Sequence, residues 1–153
     1  MKIIKLISLT LMVLLLLVSC SKPKVNVLVV PKNKDAYCTA KQVSSSVHGT
    51  NLFEGTKTIE LYDNNNIMST CKIEYQMTEN SLSCDGKVFA GHLTCFNNRH
   101  AELKITSTSC TEAYGVAVGD TGDEYDVYVG LSDSAMKDKM NELNKIILGH
   151  EAK

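Results

Sequence analysis

Between Tyr37 and Leu131 apolar and polar residues alternate with a period of two, and polar clusters break the alternation about every ten residues. That pattern confines the chain to strands that reverse at each break, an antiparallel meander. Cys71, Ile73, Tyr75 and Met77 alternate with Lys72, Glu74 and Gln76, so one face of that strand meets a core and the other meets water. Upstream, Thr58 to Tyr62 run into the turn-prone cluster Asp63-Asn64-Asn65-Asn66. Asp85-Gly86 reads as a two-residue hairpin turn feeding Val88 to Phe96, and Asn97-Asn98-Arg99 as the next turn. Tyr114, Val116 and Val118 answer Tyr125, Val127, Val129 and Leu131 across Gly119-Asp120-Thr121-Gly122, giving about eight or nine strands in all.

Two segments flank the meander. Val25 to Val30 is β-prone, lies between Pro23 and Pro31, and is expected to be an edge strand. Met136, Met140, Leu143 and Ile147 recur at helical spacing after Ser132, which can cap a helix over 133–148, with Gly149 just past its end. The expected fold is mainly β: an antiparallel meander forming a curled sheet or a small barrel or sandwich. One C-terminal amphipathic helix packs on its sheet or barrel mouth, because an apolar helix face must be buried.

The N-terminus is of another kind. Met1, Lys2 and Lys5 precede an apolar block from Leu6 to Val18, too short for the ~20 residues of a membrane span and patterned as a secretory signal. It closes on Leu17-Val18-Ser19-Cys20, which resembles the bacterial lipobox. The resemblance implies that the Cys20 sulfur receives a diacylglycerol, that residues 1–19 are removed, and that the new amine is acylated. Such an anchor is effectively permanent. It divides the chain into a signal peptide at 1–19, a lipidated N-terminus and short spacer at 20–35 with the edge strand at 25–30, and one β-rich domain at 36–150. Ser21 stands where an Asp retains similar lipoproteins at the inner membrane, so the resemblance implies the outer membrane, with its face left open.

Charge excludes some partners. Lys2 and Lys5 leave with the signal, so 14 basic residues face 17 acidic ones and no basic patch for nucleic acid emerges. The lipid on Cys20 does the holding at the membrane.

Beyond Cys20 stand five cysteines, Cys38, Cys71, Cys84, Cys95 and Cys110, enough for two disulfides and one leftover thiol. With a tight turn at 78–81, Cys71 and Cys84 would lie ~13 Å apart, beyond the ~7 Å a disulfide spans. Longer-range pairs, in which Cys38 can take part, are expected instead, with the connectivity and the identity of the leftover thiol left open. No two cysteines are close enough in sequence for a zinc pair, so no metal is expected. His48, beside Ser44 to Ser46, and His92 and His100 match no nucleophile or hydrolase signature, and no phosphate loop occurs. Catalytic residues, cofactors and a small-molecule substrate are therefore not assigned.

What remains is a non-catalytic, lipid-anchored envelope protein whose β domain binds another protein, as a component or modulator of a periplasmic or surface assembly. The loop Gly119 to Asp126 gathers Asp120, Asp123, Glu124 and Asp126 between two apolar strands and is the candidate partner-binding loop. The alternative is a small inhibitor: in size, anchoring and strand content the chain is similar to lysozyme-inhibitor lipoproteins and to phage lipoproteins that block a receptor.

Overall fold

The computed structural model describes residues 25–34, 36–46, 54–63, 66–96 and 98–151. The signal peptide, Cys20 and His48 lie outside them. The expectation of a mainly β fold holds: eight antiparallel strands form a closed barrel in sequence order. They are β1 (Val27–Pro31), β2 (Cys38–Ser46), β3 (Glu54–Asp63), β4 (Asn66–Glu79), β5 (Val88–Cys95), β6 (His100–Ser107), β7 (Ala113–Gly119) and β8 (Glu124–Val129). A helix, α1 (Asp133–Glu151), follows.

The Val25 to Val30 segment is not an edge. β1 pairs with β2 through Val27 opposite Ala40 and with β8 through Val27 opposite Val129, and so closes the barrel. Closure removes the open strand edges that a curled sheet would leave exposed. β6 and β7 approach closely at Gly115, where a Cβ would stand 2.0 Å from the Lys104 carbonyl oxygen of β6, so only glycine fits.

The helix packs on the outer wall rather than over a mouth. Leu28 and Val30 point outward from β1 and form a buried cluster with Leu143, flanked by Tyr37, Tyr128, Met136 and Met140. Three members of the expected helix face, Met136, Met140 and Leu143, thus supply this seam, and Leu143 is 1% exposed. The Ser132 Oγ accepts from the Ala135 amide at 3.2 Å, as a cap should. Gly149 does not end the helix, which continues to Glu151. The start of α1 is tied to the start of the barrel, since the Asn26 amide donates to the Leu131 carbonyl and to Asp133, both at 2.8 Å.

Up-and-down order fixes the two ends. Val25, Asn26 and the β4–β5 and β6–β7 connections share one end, and the β3–β4, β5–β6 and β7–β8 turns share the other. Each end carries a disulfide. Cys71–Cys95 bridges directly opposed residues of β4 and β5 toward the turn end, and Cys84–Cys110 joins two connections at the N-terminal end. Cys38 is the free thiol among the described residues, so both longer-range pairs form without it. The expected two-residue hairpin at Asp85-Gly86 is also corrected, because β4 and β5 are joined by the longer connection 80–87. That loop is pinned by Ser107, whose Oγ donates to the Cys84 carbonyl at 2.7 Å and accepts from the Lys87 amide at 2.9 Å.

Candidate functional site: the barrel lumen

Alternation in a closed sheet sends every second side chain inward. β3 turns in Lys57, Ile59, Leu61 and Asp63; β5 turns in Phe89, Leu93 and Cys95; β6 turns in Ala101, Leu103, Ile105 and Ser107. If all strands did this with large residues the interior would fill. β7 does not, since the residues it turns toward the cavity are Ala113, Ala117 and Gly119. The result is a cavity of about 800 Å³.

That volume lies within the ~300–1,000 Å³ of small-molecule sites. Its wall is apolar, built from Val27, Val29, Ile73, Val127 and Val129 besides the residues of β3, β5 and β6. Ile73, Leu93, Leu103 and Ile105 are only half-buried although they point inward, so the space between them is unfilled. A genuine core does form near Cys71–Cys95, where Ala40, Ile59 and both cysteines are buried together.

The outer wall is the converse. Lys72, Glu74, His92, Glu102 and Lys104 are exposed there, with Lys72 2.6 Å from Glu74 and His92 3.8 Å from Glu102. Barrels that span membranes place apolar residues outside and polar ones inside. This alternation runs the other way, with a water-facing wall around an apolar lumen.

Polar groups punctuate the lumen at few places. Lys57 Nζ lies 5.4 Å from the centre of the Tyr75 ring, and burial pulls its pKa below the usual lysine range. Tyr75 packs edge-on against Phe89, with ring centres 6.5 Å apart. Cys38 also lines the cavity, and burial, assisted by the charge of Asp63, pushes its thiol up to about 11. At that value the thiol is protonated at neutral pH and is a poor nucleophile. At the turn end Asp63, Arg99 and His100 reach the mouth.

The four carboxylates of the candidate partner-binding loop do not act as one group. Asp120, Asp123 and Glu124 are exposed at the β7–β8 turn, where Thr121 donates to Asp123 at 2.5 Å and Arg99 stands 4.0 Å from it. Asp126 is 9% exposed and lies on the outer wall, held by Lys32 at 2.9 Å and by the Tyr114 hydroxyl at 2.9 Å. Burial opposes its ionisation, yet those two donors hold its carboxyl below the usual range. Its work is structural. The turn end carries a feature that alternation alone does not single out: Ile67, Met68 and Phe96 are exposed apolar side chains there, Phe96 to 84%. The Phe96 amide donates to the Thr70 carbonyl at 3.0 Å, which holds the β5–β6 turn beside β4.

No known family model and no curated protein matches the chain. Solved structures match in shape. A redesigned β-barrel, b11L5F_LGL, superposes with a TM-score of 0.56 at 7% identity, covering 72% of this chain and 90% of that one. A second redesigned β-barrel, mFAP1, described bound to DFHBI, gives 0.51 at 11% identity, covering 71% of this chain and 92% of that one. At such identities the likeness is one of fold.

Proposed function

We propose that this chain is a lipid-anchored, non-catalytic binding protein of a bacterial envelope, held through Cys20, and that the species it binds occupies the barrel lumen. The observation that carries the reading is the set of small cavity-lining residues on β7, Ala113, Ala117 and Gly119, opposite apolar walls that remain half-exposed. An unfilled apolar interior costs stability, since its lining forfeits dispersion contacts that larger side chains would have made. A barrel whose task was only to be a rigid scaffold would gain by filling it. The neighbour mFAP1, described bound to DFHBI, is a barrel of related shape with a small molecule bound, which is consistent with this use. The test is a cavity-filling variant: Ala117→Phe should keep or raise thermal stability while abolishing uptake of an uncharged environment-sensitive dye. Equal uptake by both proteins contradicts the lumen as the site. Metabolic labelling with a palmitate analogue tests the anchor, and should tag the natural chain but not Cys20→Ala.

A second reading has its own observation. Ile67, Met68 and Phe96 are exposed at the end of the barrel opposite Val25, beside the acidic β7–β8 turn. Exposed apolar residues rimmed by charge suit a protein partner, whether an envelope assembly or an enzyme that the protein inhibits. Affinity capture with Phe96→Ser beside the natural chain separates this from lumen binding, because the substitution leaves dye uptake intact.

A further inference from the structure

We infer that the lumen takes an amphiphile with an apolar body and an anionic head, and that Lys57 receives the head. The inference rests on the lumen reading above and names the chemical class of the ligand.

Among the inward positions of β3, Lys57 interrupts the apolar wall of Ile59 and Leu61 with a cation. An ammonium in such a place loses hydration, and the lowered pKa of Lys57 reflects that loss. Nothing among the described residues returns the loss by ion pairing, and the Tyr75 ring at 5.4 Å is the favourable contact the structure provides. Three lysines outside the lumen, Lys32, Lys72 and Lys139, each meet a carboxylate within 3.0 Å. Lys87 lines the cavity too, at the same end of the barrel as the start of β3. Of the lumen carboxylates, Asp63 stands at the opposite end of β3, and Glu112, in the β6–β7 connection at the Lys57 end, makes no ion pair with Lys57, its amide held by Ser109 Oγ at 3.0 Å.

An anionic head beside Lys57 would complete the missing pair, while the body filled the space that β7 leaves open. A carboxylate and a phosphate monoester share this chemistry. A neutral apolar molecule would fill the space but leave the cation uncompensated.

The experiment measures binding of a fluorescent long-chain carboxylate and of the matching alcohol to the full chain in phosphatidylcholine nanodiscs, with empty discs subtracted. The carboxylate should bind about tenfold more tightly than the alcohol, a difference of ~1.4 kcal/mol. Lys57→Met should erase that preference without weakening the alcohol, and Lys57→Arg should keep it. Displacement by a lysophosphatidic acid, compared with displacement by hexadecanoate, then tells a lipid phosphate from a free fatty acid. If carboxylate and alcohol bind alike and Lys57→Met changes neither, the head-group assignment is wrong and the lumen reading survives. If neither probe binds the natural chain, both readings fall together.

Discussion

Lys57 and Lys139 both sit over tyrosine rings, Lys57 5.4 Å from the centre of Tyr75 inside the barrel and Lys139 5.6 Å from that of Tyr128 outside it. Only the outer one has an acid: Glu142 lies 3.0 Å from the Lys139 Nζ. The same pairing in two surroundings shifts the two ammonium groups in opposite directions. The Glu142 hydrogen bond raises Lys139, and burial lowers Lys57. A lysine-labelled NMR titration should therefore find Lys57 deprotonating before Lys139. Adding the long-chain carboxylate should move Lys57 upward and leave Lys139 where it was, whereas parallel movement of both would mean a bulk effect.

Leu143 is the centre of the helix seam against Leu28 and Val30. Leu143→Ala removes a fully buried side chain and leaves a cavity in the seam, and should cost ~2–5 kcal/mol. Calorimetric melting reads this directly. Because α1 lies on the outer wall, dye uptake by the variant below its melting temperature should be unchanged.

The disulfides close loops with sequence separations of 24 and 26. Each should stabilise the fold by ~3–4 kcal/mol if restriction of the unfolded chain dominates. Peptide mapping of the oxidised protein should recover Cys71 with Cys95 and Cys84 with Cys110. With its thiol raised to about 11, Cys38 is about one part in a thousand thiolate at pH 8, so the native protein should alkylate slowly and the denatured protein quickly. Recovery of Cys38 in a disulfide would contradict this frame.

Asp126 links the β1–β2 side of the wall to β7 through Lys32 and Tyr114. Its folded pKa lies below the unfolded value of ~3.9, so the stability it contributes is present above that pH and is lost as pH falls through the folded value. Asp126→Asn should lower stability at pH 7 by about 1 kcal/mol and flatten the decline below about pH 4. A variant whose melting temperature falls as steeply with acid as the natural chain's would place the acid sensitivity elsewhere.

Much of this architecture is written in local alternation. Cys71 to Met77 announced a strand with one face inward because side-chain direction has a period of two, and α1 was legible from the spacing of Met136, Met140 and Leu143. The misreadings share another cause, which is that neighbours in space decide them. Val25 to Val30 looked like an edge because an edge strand and a closing strand have the same composition; only the pairing of β1 with β8 distinguishes them. Which cysteine stays free was not readable because register beyond the 80–87 connection could not be counted, and that connection sets Cys71 opposite Cys95. Asp126 clustered with Asp120, Asp123 and Glu124 in sequence, yet its place in β8 turns it toward Lys32. The lumen was the least legible feature. Ala113, Ala117 and Gly119 carry no chemistry of their own, and they become a site only when a closed barrel sets their missing volume against apolar walls.

The most direct test of that claim is where a ligand sits. Methyl NMR of the full chain in nanodiscs, titrated with the long-chain carboxylate, reports on inward Ile59, Ile73, Leu93, Leu103, Ile105 and Val127 and on outward Leu28, Val30 and Leu143 in one experiment. The account predicts saturable shifts confined to the inward set, absent in Ala117→Phe. Shifts confined to the outward set, or to Ile67 at the rim, would contradict it.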